Sequence, residues 1–148
     1  MLIGVASDHA GYLLKPMIVD YIKELGYDVE DFGPDNADRV DYPDYALKLS
    51  RAVVDSKVNL GILICGTGIG MSIAANKVKG VRCAAVSETY SAAKARQHNN
   101  ANILAIGSRV VGPDVAKDLV KAFLEAEFEG GRHQNRLDII SKYEADHM

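Results

Sequence analysis

The sequence predicts an α/β fold, a three-layer α/β/α Rossmann-like sandwich with a five-stranded parallel sheet. Five short apolar segments alternate with segments whose apolar residues recur at helical spacing. Strands separated by helices pair in parallel, because an antiparallel pair needs only a hairpin. The chain has 148 residues, 48% of them hydrophobic, which is enough for one full core. We therefore expect residues 1–148 to form a single domain.

The first half of the chain predicts two strands and two helices. Residues 2–7 form an apolar run typical of a buried strand, and residues 27–32 alternate weakly, which indicates a less buried one. The helix between them ends at Gly26, where a C-terminal glycine is expected. Residues 34–43 carry turn formers and charge, so they predict a loop, and Asp44 is the expected cap of the next helix. Its expected inward side chains are Tyr45, Leu47 (or Ala46), Leu49, Val53 and Val54.

The second half predicts three strands, at 60–64, 81–86 and 102–106, each followed by a helical segment. Ser87 is the expected cap of a helix that runs to about His98, and Pro113 marks the start of the next helix. That helix is expected to bury Val115, Leu119, Val120, Phe123 and Leu124. After Gly130 and Gly131, the near-helical spacing of Leu137, Ile140 and Tyr143 predicts a C-terminal helical segment from about residue 132.

Composition and charge exclude several classes of function. A net charge of −3 argues against general attraction to nucleic acid or acidic membranes. The N-terminal residues lack a basic region followed by a long apolar stretch, so no secretory signal is predicted. No segment has the apolar length of a membrane span. Cys65 and Cys83 have neither C-x-x-C spacing nor the partners of a zinc site. We expect reduced thiols and a cytoplasmic location.

Polar residues follow four of the predicted strands. They are Asp8 and His9, the stretch from Cys65 to Gly70, Ser87 with Glu88, and Ser108 with Arg109. The carboxyl ends of parallel strands meet at one edge of a sheet, where such folds bind their ligands. The sequence therefore predicts a ligand site at this edge.

The glycine-rich turn after Cys65 predicts a cradle for a small anion. A strand-to-helix turn exposes backbone N–H groups, and the helix N-terminus adds positive partial charge. Met71 stands where a dinucleotide fingerprint needs glycine and where a phosphatase Cys-x5-Arg loop needs arginine, and no lysine completes a P-loop. A thiol at this turn is a candidate reactive group, the alternative being an inert core cysteine. Cys83, inside a strand, fits that inert interpretation.

Three other polar groups have plainer explanations. Asp8 and His9 could be a helix cap and a surface imidazole, and His98 with Asn99 could simply close a helix. Arg132 and Arg136 are four residues apart, which places them on one helix face as a fork suited to phosphate. The alternative for the arginines is a solvated basic face, although the rest of the chain is acidic.

Six motifs together resemble type B ribose-5-phosphate isomerase, in a group that also contains allose- and galactose-6-phosphate isomerases. The resemblance covers nearly the whole chain in order. It rests on residues 7–11, 41–43, 65–77, 98–102, 107–109 and 130–136.

The resemblance implies an aldose–ketose isomerase of the non-oxidative pentose phosphate pathway that works through an enediolate, without a metal or organic cofactor. Cys65 would move the proton between C2 and C1, and the backbone amides from Gly66 through Gly68 to Gly70 would hold the developing oxyanion. The other implied roles are Thr67 and Ser72 beside the oxyanion; His98 in ring opening; Asp8, Tyr42 and Asn99 at hydroxyls; and His9, Arg109, Arg132 and Arg136 at the phosphate.

The resemblance also implies dimers or tetramers with shared active sites, in which His98, Asn99 and Arg109 serve a neighbour's Cys65 and the segment from about residue 132 packs on a partner subunit. One branch of the family uses a glutamate where this chain has Met71, so the thiol branch is indicated. Three alternatives stay open: a hexose-6-phosphate isomerase, a non-catalytic phosphosugar-binding module, and a thiol hydrolase that forms a covalent intermediate.

Overall fold

The computed structural model describes all 148 residues and has the predicted α/β architecture. One helix connects each strand to the next, which gives the alternation seen in the sequence. The strands are β1 Leu2–Ser7, β2 Asp28–Asp31, β3 Leu60–Cys65, β4 Cys83–Ala85 and β5 Ile103–Gly107. The helices are α1 Lys15–Glu24, α2 Tyr42–Val54, α3 Ile69–Ala75, α4 Thr89–Gln97, α5 Pro113–Glu125 and α6 Arg132–His147.

All five strands are parallel, in the order β2-β1-β3-β5-β4. The register places Ser7 opposite Ile64 and Cys65 opposite Gly107. The carboxyl ends of the three central strands β1, β3 and β5 therefore lie level with one another. This is the edge at which the sequence predicted the ligand site.

The helices divide between the two faces of the sheet. Helices α1, α4 and α5 pack on one face, against alternate strand residues such as Ile62 and Ile64. Helices α2 and α3 cover the other face, against Leu63 and Cys65. Because side chains alternate along a strand, each central strand is buried on both sides.

The site is positioned by the strand order. Strands β1 and β5 lead to helices on one face, whereas β3, which lies between them, leads to α3 on the opposite face. The chain therefore leaves the sheet in opposite directions after β3 and after its two neighbours. Such a switch point at the carboxyl ends of the strands is the usual place for a ligand in an open α/β sheet.

Helix α6 lies largely outside these layers. Only His133 and Leu137 are buried among its residues, and Gly80 donates its N–H to the Glu144 carboxylate at 3.1 Å. Apolar side chains are exposed on the rest of the helix, including Ile139, Ile140 and Tyr143. None of the six helices is both long and apolar enough to cross a membrane.

The predicted cap of α2 is wrong by one helical turn. The helix begins at Tyr42 after Asp41, and the Asp44 N–H donates to the Asp41 carbonyl at 3.2 Å, so Asp44 lies in the first turn. Proline is tolerated there because the first N–H groups of a helix have no intrahelical acceptor, so Pro43 did not delay the start. Of the two alternatives for the inward position, Ala46 is buried and Leu47 is 40% exposed.

Three other details also differ from the prediction. Glu88, not Ser87, caps α4, because its longer side chain accepts the Ser91 N–H at 2.9 Å. In α5 the expected inward residues are buried except for Val115, which is 42% exposed, and Ala116 is buried in its place. Strand β4 is shorter than predicted, because the Asn102 side chain, not the ladder, accepts the N–H of Arg82.

Candidate active site

Cys65 is the last residue of β3 and faces the α2–α3 side of the sheet. Its side chain is buried, with 5% exposure, and its Sγ accepts the Gly68 N–H at 3.1 Å. The predicted reactive group is therefore held against the glycine turn, as expected.

Glycines let the backbones around Cys65 approach closely. A Cβ on Gly107 would stand 2.7–2.8 Å from the Thr67 backbone, and one on Gly68 would stand 3.1–3.3 Å from the backbone of Ala105 and Ile106. Gly68 also has φ +81°, which L side chains rarely adopt. The loop after β3 is thus packed backbone to backbone against β5.

Several amides in this loop have no partner within the chain. The N–H groups of Gly66, Thr67 and Gly70 donate to no acceptor, whereas Gly68 donates to Cys65 and Ile69 to the Thr67 hydroxyl at 3.2 Å. Unpaired donors beside a thiol are the elements of an oxyanion site. The loop can stabilise negative charge that develops on a substrate oxygen.

Asp8 and His9 lie on the neighbouring loop after β1. The Asp8 N–H donates to the Ile64 carbonyl at 3.1 Å, and its buried carboxylate accepts the Gly11 N–H at 2.9 Å. His9 accepts the Val40 N–H on Nδ1 at 3.2 Å, so its proton is on Nε2 when the ring is neutral. Both predicted residues therefore share the edge with Cys65.

Tyr42 and Ser72 border the same loop. A Cβ on Gly70 would stand 2.7–2.8 Å from the Tyr42 ring, so the ring lies directly on that glycine. Ser72 reaches from α3 to Cys83, and its hydrogen bond to that thiol lowers the Cys83 pKa. Burial, with a smaller contribution from Cys65, raises the pKa of Cys83 to about 12, which fits the predicted inert thiol.

Arg109 lies on the loop after β5, beside its own chain's glycine turn. Its N–H donates to the Gly66 carbonyl at 3.0 Å, and its guanidinium Nη1 is 3.6 Å from where a Gly66 Cβ would stand. Arg109 therefore lies beside the Cys65 loop of its own chain, and its expected role at a neighbour's Cys65 stays a prediction. Ser108 joins all three loops, since its N–H donates to the Cys65 carbonyl and its hydroxyl to the Ala10 carbonyl, both at 2.8 Å.

The structure does not bring His98, Asn99, Arg132 and Arg136 to this edge. His98 is the C-cap of α4, which returns the chain to the start of β5, whereas Cys65 lies opposite Gly107 at the end of β5. The two ends of β5, Ile103 and Gly107, are about 13 Å apart. The four predicted residues form a second group near the amino ends of the strands.

Glu129 and His133 belong to that second group and were missed at the sequence level. The rings of His98 and His133 stack with centroids 4.1 Å apart and planes inclined by 13°. The Nε2 atoms of His98 and His133 lie 3.6 and 3.5 Å from the same Glu129 carboxylate oxygen. No spacing signals this cluster, because its members come from a helix end, a linker and another helix.

Burial and the surrounding charges lower the pKa of His133. Its side chain is 5% exposed, and burial is the main cause that holds the pKa of His133 below its usual range. The positive charges of His98, Arg132 and Arg136 lower that pKa further, and Glu129 alone opposes them. No hydrogen-bond partner reaches His133 Nε2.

A buried thiol, unpaired backbone donors and a carboxylate at the switch point of a parallel sheet define an enzyme of the open α/β class that can move protons beside a developing oxyanion. Comparison with known proteins makes the class specific. Residues 3–140 match the model of the family described as Ribose/Galactose Isomerase.

The chain is 51% identical to Ribose-5-phosphate isomerase B of Escherichia coli over 142 residues, which cover 96% of this chain and 95% of that one. It is 46% identical to D-erythrulose-4-phosphate isomerase of Pectobacterium atrosepticum over 96% of this chain and 94% of that one. The solved structure of Clostridium thermocellum Ribose-5-Phosphate Isomerase B superposes with a TM-score of 0.98, at 51% identity and full coverage of both chains. The chain therefore belongs to the ribose/galactose isomerase family, and its resemblance to the type B enzymes is confirmed.

Proposed function

We propose that the protein is an aldose–ketose isomerase that interconverts ribose 5-phosphate and ribulose 5-phosphate in the non-oxidative pentose phosphate pathway of the cytoplasm. The observation that carries this proposal is the Cys65 thiol, held 3.1 Å from the Gly68 N–H beside the unpaired amides of Gly66, Thr67 and Gly70. The similarity to the E. coli and C. thermocellum enzymes supports the choice of substrate.

Cys65 is the proposed base. As a thiolate it removes the C2 proton of the open-chain aldose, the C1=C2 bond forms, and the electron pair of the C1 carbonyl moves onto O1 as an enediolate. The loop amides, with Thr67 and Ser72, stabilise that oxygen. Asp8 relays the O2 proton to O1, and the Cys65 thiol returns its proton to C1, which leaves the ketose and the original thiolate. No electron acceptor is needed.

The phosphate and hydroxyl groups orient the sugar. His9 and Arg109 flank the glycine turn in the same chain, and Tyr42 lies on Gly70. We assign the phosphate to His9, Arg109 and the Arg132–Arg136 fork, and hydroxyl contacts to Tyr42 and Asn99. Binding energy from the phosphate holds C1 and C2 at Cys65, which is how a remote group accelerates a proton transfer.

We further propose that each active site is completed by a neighbouring subunit, in a homodimer or homotetramer. Within one chain, Cys65 and His98 lie at opposite ends of β5, so His98 cannot open a sugar held at its own Cys65. Helix α6 supports this arrangement, because it exposes Ile139, Ile140 and Tyr143 and borders an apolar groove of about 410 Å³. We expect α6 to pack on the partner subunit.

Subunit mixing tests the shared site. Cys65→Ala and His98→Asn proteins, each nearly inactive alone, are mixed after mild dissociation. If sites are shared, half of the dimers are mixed and each contains one intact site, so about a quarter of the parent activity returns. Mixing that restores no activity, although light scattering shows mixed oligomers, contradicts the shared site but not the isomerase.

The substrate proposal is tested by incubating the parent protein in D2O with ribose 5-phosphate, allose 6-phosphate, galactose 6-phosphate and, because of the Pectobacterium relative, erythrulose 4-phosphate. We expect the fastest conversion with ribose 5-phosphate, and deuterium at C1 of the ribulose 5-phosphate formed. Preference for a six-carbon substrate favours a hexose-6-phosphate isomerase. Binding without conversion indicates a binding module, and a covalent adduct on Cys65 indicates a thiol hydrolase.

A further inference from the structure

Three side chains from different elements meet next to the end of α4. His98 and His133 stack face to face, and their Nε2 atoms lie 3.6 and 3.5 Å from one oxygen of Glu129. The Glu129 N–H also donates to the Gln97 carbonyl at 3.0 Å, which ties the linker before α6 to the last turn of α4. The carboxylate is thus anchored by its own backbone beside His98. We call these three residues the imidazole clamp.

The donor set of the clamp resembles a zinc site, since two histidines and a glutamate are a known zinc triad and the three ligand atoms lie within 4.8 Å of one another. The ring geometry argues against a metal. The two imidazole planes are inclined by only 13° with ring centroids 4.1 Å apart, so the two Nε2 lone pairs lie in separate, nearly parallel planes and do not converge on one ion. A zinc ion about 2.0–2.1 Å from both nitrogens would require the stack to open. The clamp is better suited to sharing a charge than to holding a cation.

The charged groups around the clamp are mostly positive. Burial holds the pKa of His133 low, and Glu129 supplies the one negative charge beside that ring. The positive groups are Arg132 and Arg136 from α6, and Arg82, before β4, donates to the Asn99 carbonyl next to His98. Loss of Glu129 would leave the two rings without the carboxylate that both approach.

We propose that Glu129 is a positioning residue for His98: its carboxylate holds the imidazole in the stack against His133. This inference rests on the proposed function, in which His98 opens the furanose ring of the substrate. His98 is one-third exposed at a helix end, so without the clamp its ring can rotate into solvent. A proton donor must keep one orientation towards the ring oxygen of the sugar, and the clamp supplies that orientation.

The direct test measures ring orientation and needs no turnover. Nuclear Overhauser contacts between the ring protons of His98 and His133 are compared by NMR in the parent and in Glu129→Gln, with assignment by His98→Asn. Without the carboxylate that both rings approach, these contacts are expected to weaken at least about twofold. Glu127→Gln is the matched control, because Glu127 is exposed in the same linker and forms no hydrogen bond or ion pair, and it should leave the contacts unchanged.

The functional test separates ring opening from proton transfer. Ribose 5-phosphate is cyclic and must be opened, whereas ribulose 5-phosphate carries its phosphate on O5 and has no furanose form to open. At saturating sugar, Glu129→Gln is expected to lower kcat for ribose 5-phosphate about tenfold and kcat for ribulose 5-phosphate less than about twofold. The KM for ribose 5-phosphate falls with its kcat, because the equilibrium constant fixes the ratio of the two kcat/KM values. Glu129→Asp, which keeps the charge, should recover part of the loss, and Glu127→Gln should convert both sugars like the parent.

Three results would overturn the inference: unchanged contacts between the His98 and His133 rings in Glu129→Gln, an equal loss of kcat with the cyclic and acyclic sugars, or binding of one equivalent of Zn²⁺ that is abolished by Glu129→Gln and raises activity. The NMR contacts do not depend on turnover. Weakened contacts in Glu129→Gln, when the parent converts no sugar phosphate, therefore contradict the proposed function and leave the clamp intact, whereas an active isomerase with unchanged contacts contradicts only the clamp.

Discussion

The Cys65 loop and the imidazole clamp are built in different ways. Around Cys65 the chain is held by backbone contacts, in which Gly68 and Gly107 press against neighbouring main chain and the thiol is 5% exposed. Around His98 the chain is held by side chains, since two rings and a half-exposed carboxylate form the clamp. The first region is complete within one chain, and the second presents its groups to the outside.

This difference matches the two chemical tasks we assign. Stabilising an oxyanion needs donors that do not move, and backbone amides fixed by close packing meet that need. Ring opening needs a group that can approach from the opposite side of the sugar, and an exposed helix end can do so from a second subunit. The predictions that follow test each half of this contrast.

The largest expected effect is the loss of the base. Cys65→Ala should lower kcat at least about a thousandfold, because general base catalysis and the ordering of the loop around sulfur are lost together. Cys83→Ala makes the same chemical change in the second thiol and should retain most of the activity. Steady-state kinetics with ribose 5-phosphate measure both. Comparable losses in the two variants would place the base elsewhere.

The backbone construction of the Cys65 loop is tested by Gly107→Ala. The added methyl group would stand 2.7 Å from the Thr67 main chain, so the free energy of unfolding should fall by about 2 kcal/mol as the loop shifts. Gly112→Ala, where no atom lies within 4 Å of the new Cβ, should change it by less than about 0.5 kcal/mol. Urea unfolding followed by circular dichroism measures the difference. Equal stability of the two variants would show that the close contact is not needed.

The arginine fork tests the outward-facing region. Arg132→Gln and Arg136→Gln should each raise the KM for ribose 5-phosphate about tenfold with little change in kcat, as expected for a phosphate contact that is equal in the ground and transition states. Arg51→Gln, an exposed arginine at the end of α2, serves as the control. If Arg51→Gln has the same effect, the fork acts only through net charge.

The smallest expected effect concerns Cys83, which lies near both Cys65 and the groove beside α6. Burial raises the pKa of Cys83 from 9.0 to about 12, so between these values the unfolded chain loses the thiol proton and the folded chain keeps it. Stability present below pH 9 is therefore lost as the pH rises towards 12, on the order of 1 kcal/mol for a partly exposed group. Cys83→Ala should show a shallower alkaline decline in urea unfolding than the parent does, and an identical decline would assign the loss to other groups.

Local patterns predicted most of the fold and half of the candidate site. The apolar runs located all five strands, and the glycines after Cys65 identified the loop whose unpaired amides the structure describes. Helix caps were less predictable, because Asp44 and Ser87 compete with Asp41 and Glu88, and the choice depends on hydrogen-bond geometry that spacing does not encode.

The sequence by itself determined the fold class, the placement of Cys65 at a strand end and the family resemblance, since each depends on residues close together in the chain. Only the tertiary structure decided the strand order, the location of Arg109 beside its own Gly66, and the meeting of His98 with Glu129 and His133. The physical reason is that these contacts join separate elements. Their positions follow from how helices pack on the two faces of the sheet, and no local period records that packing.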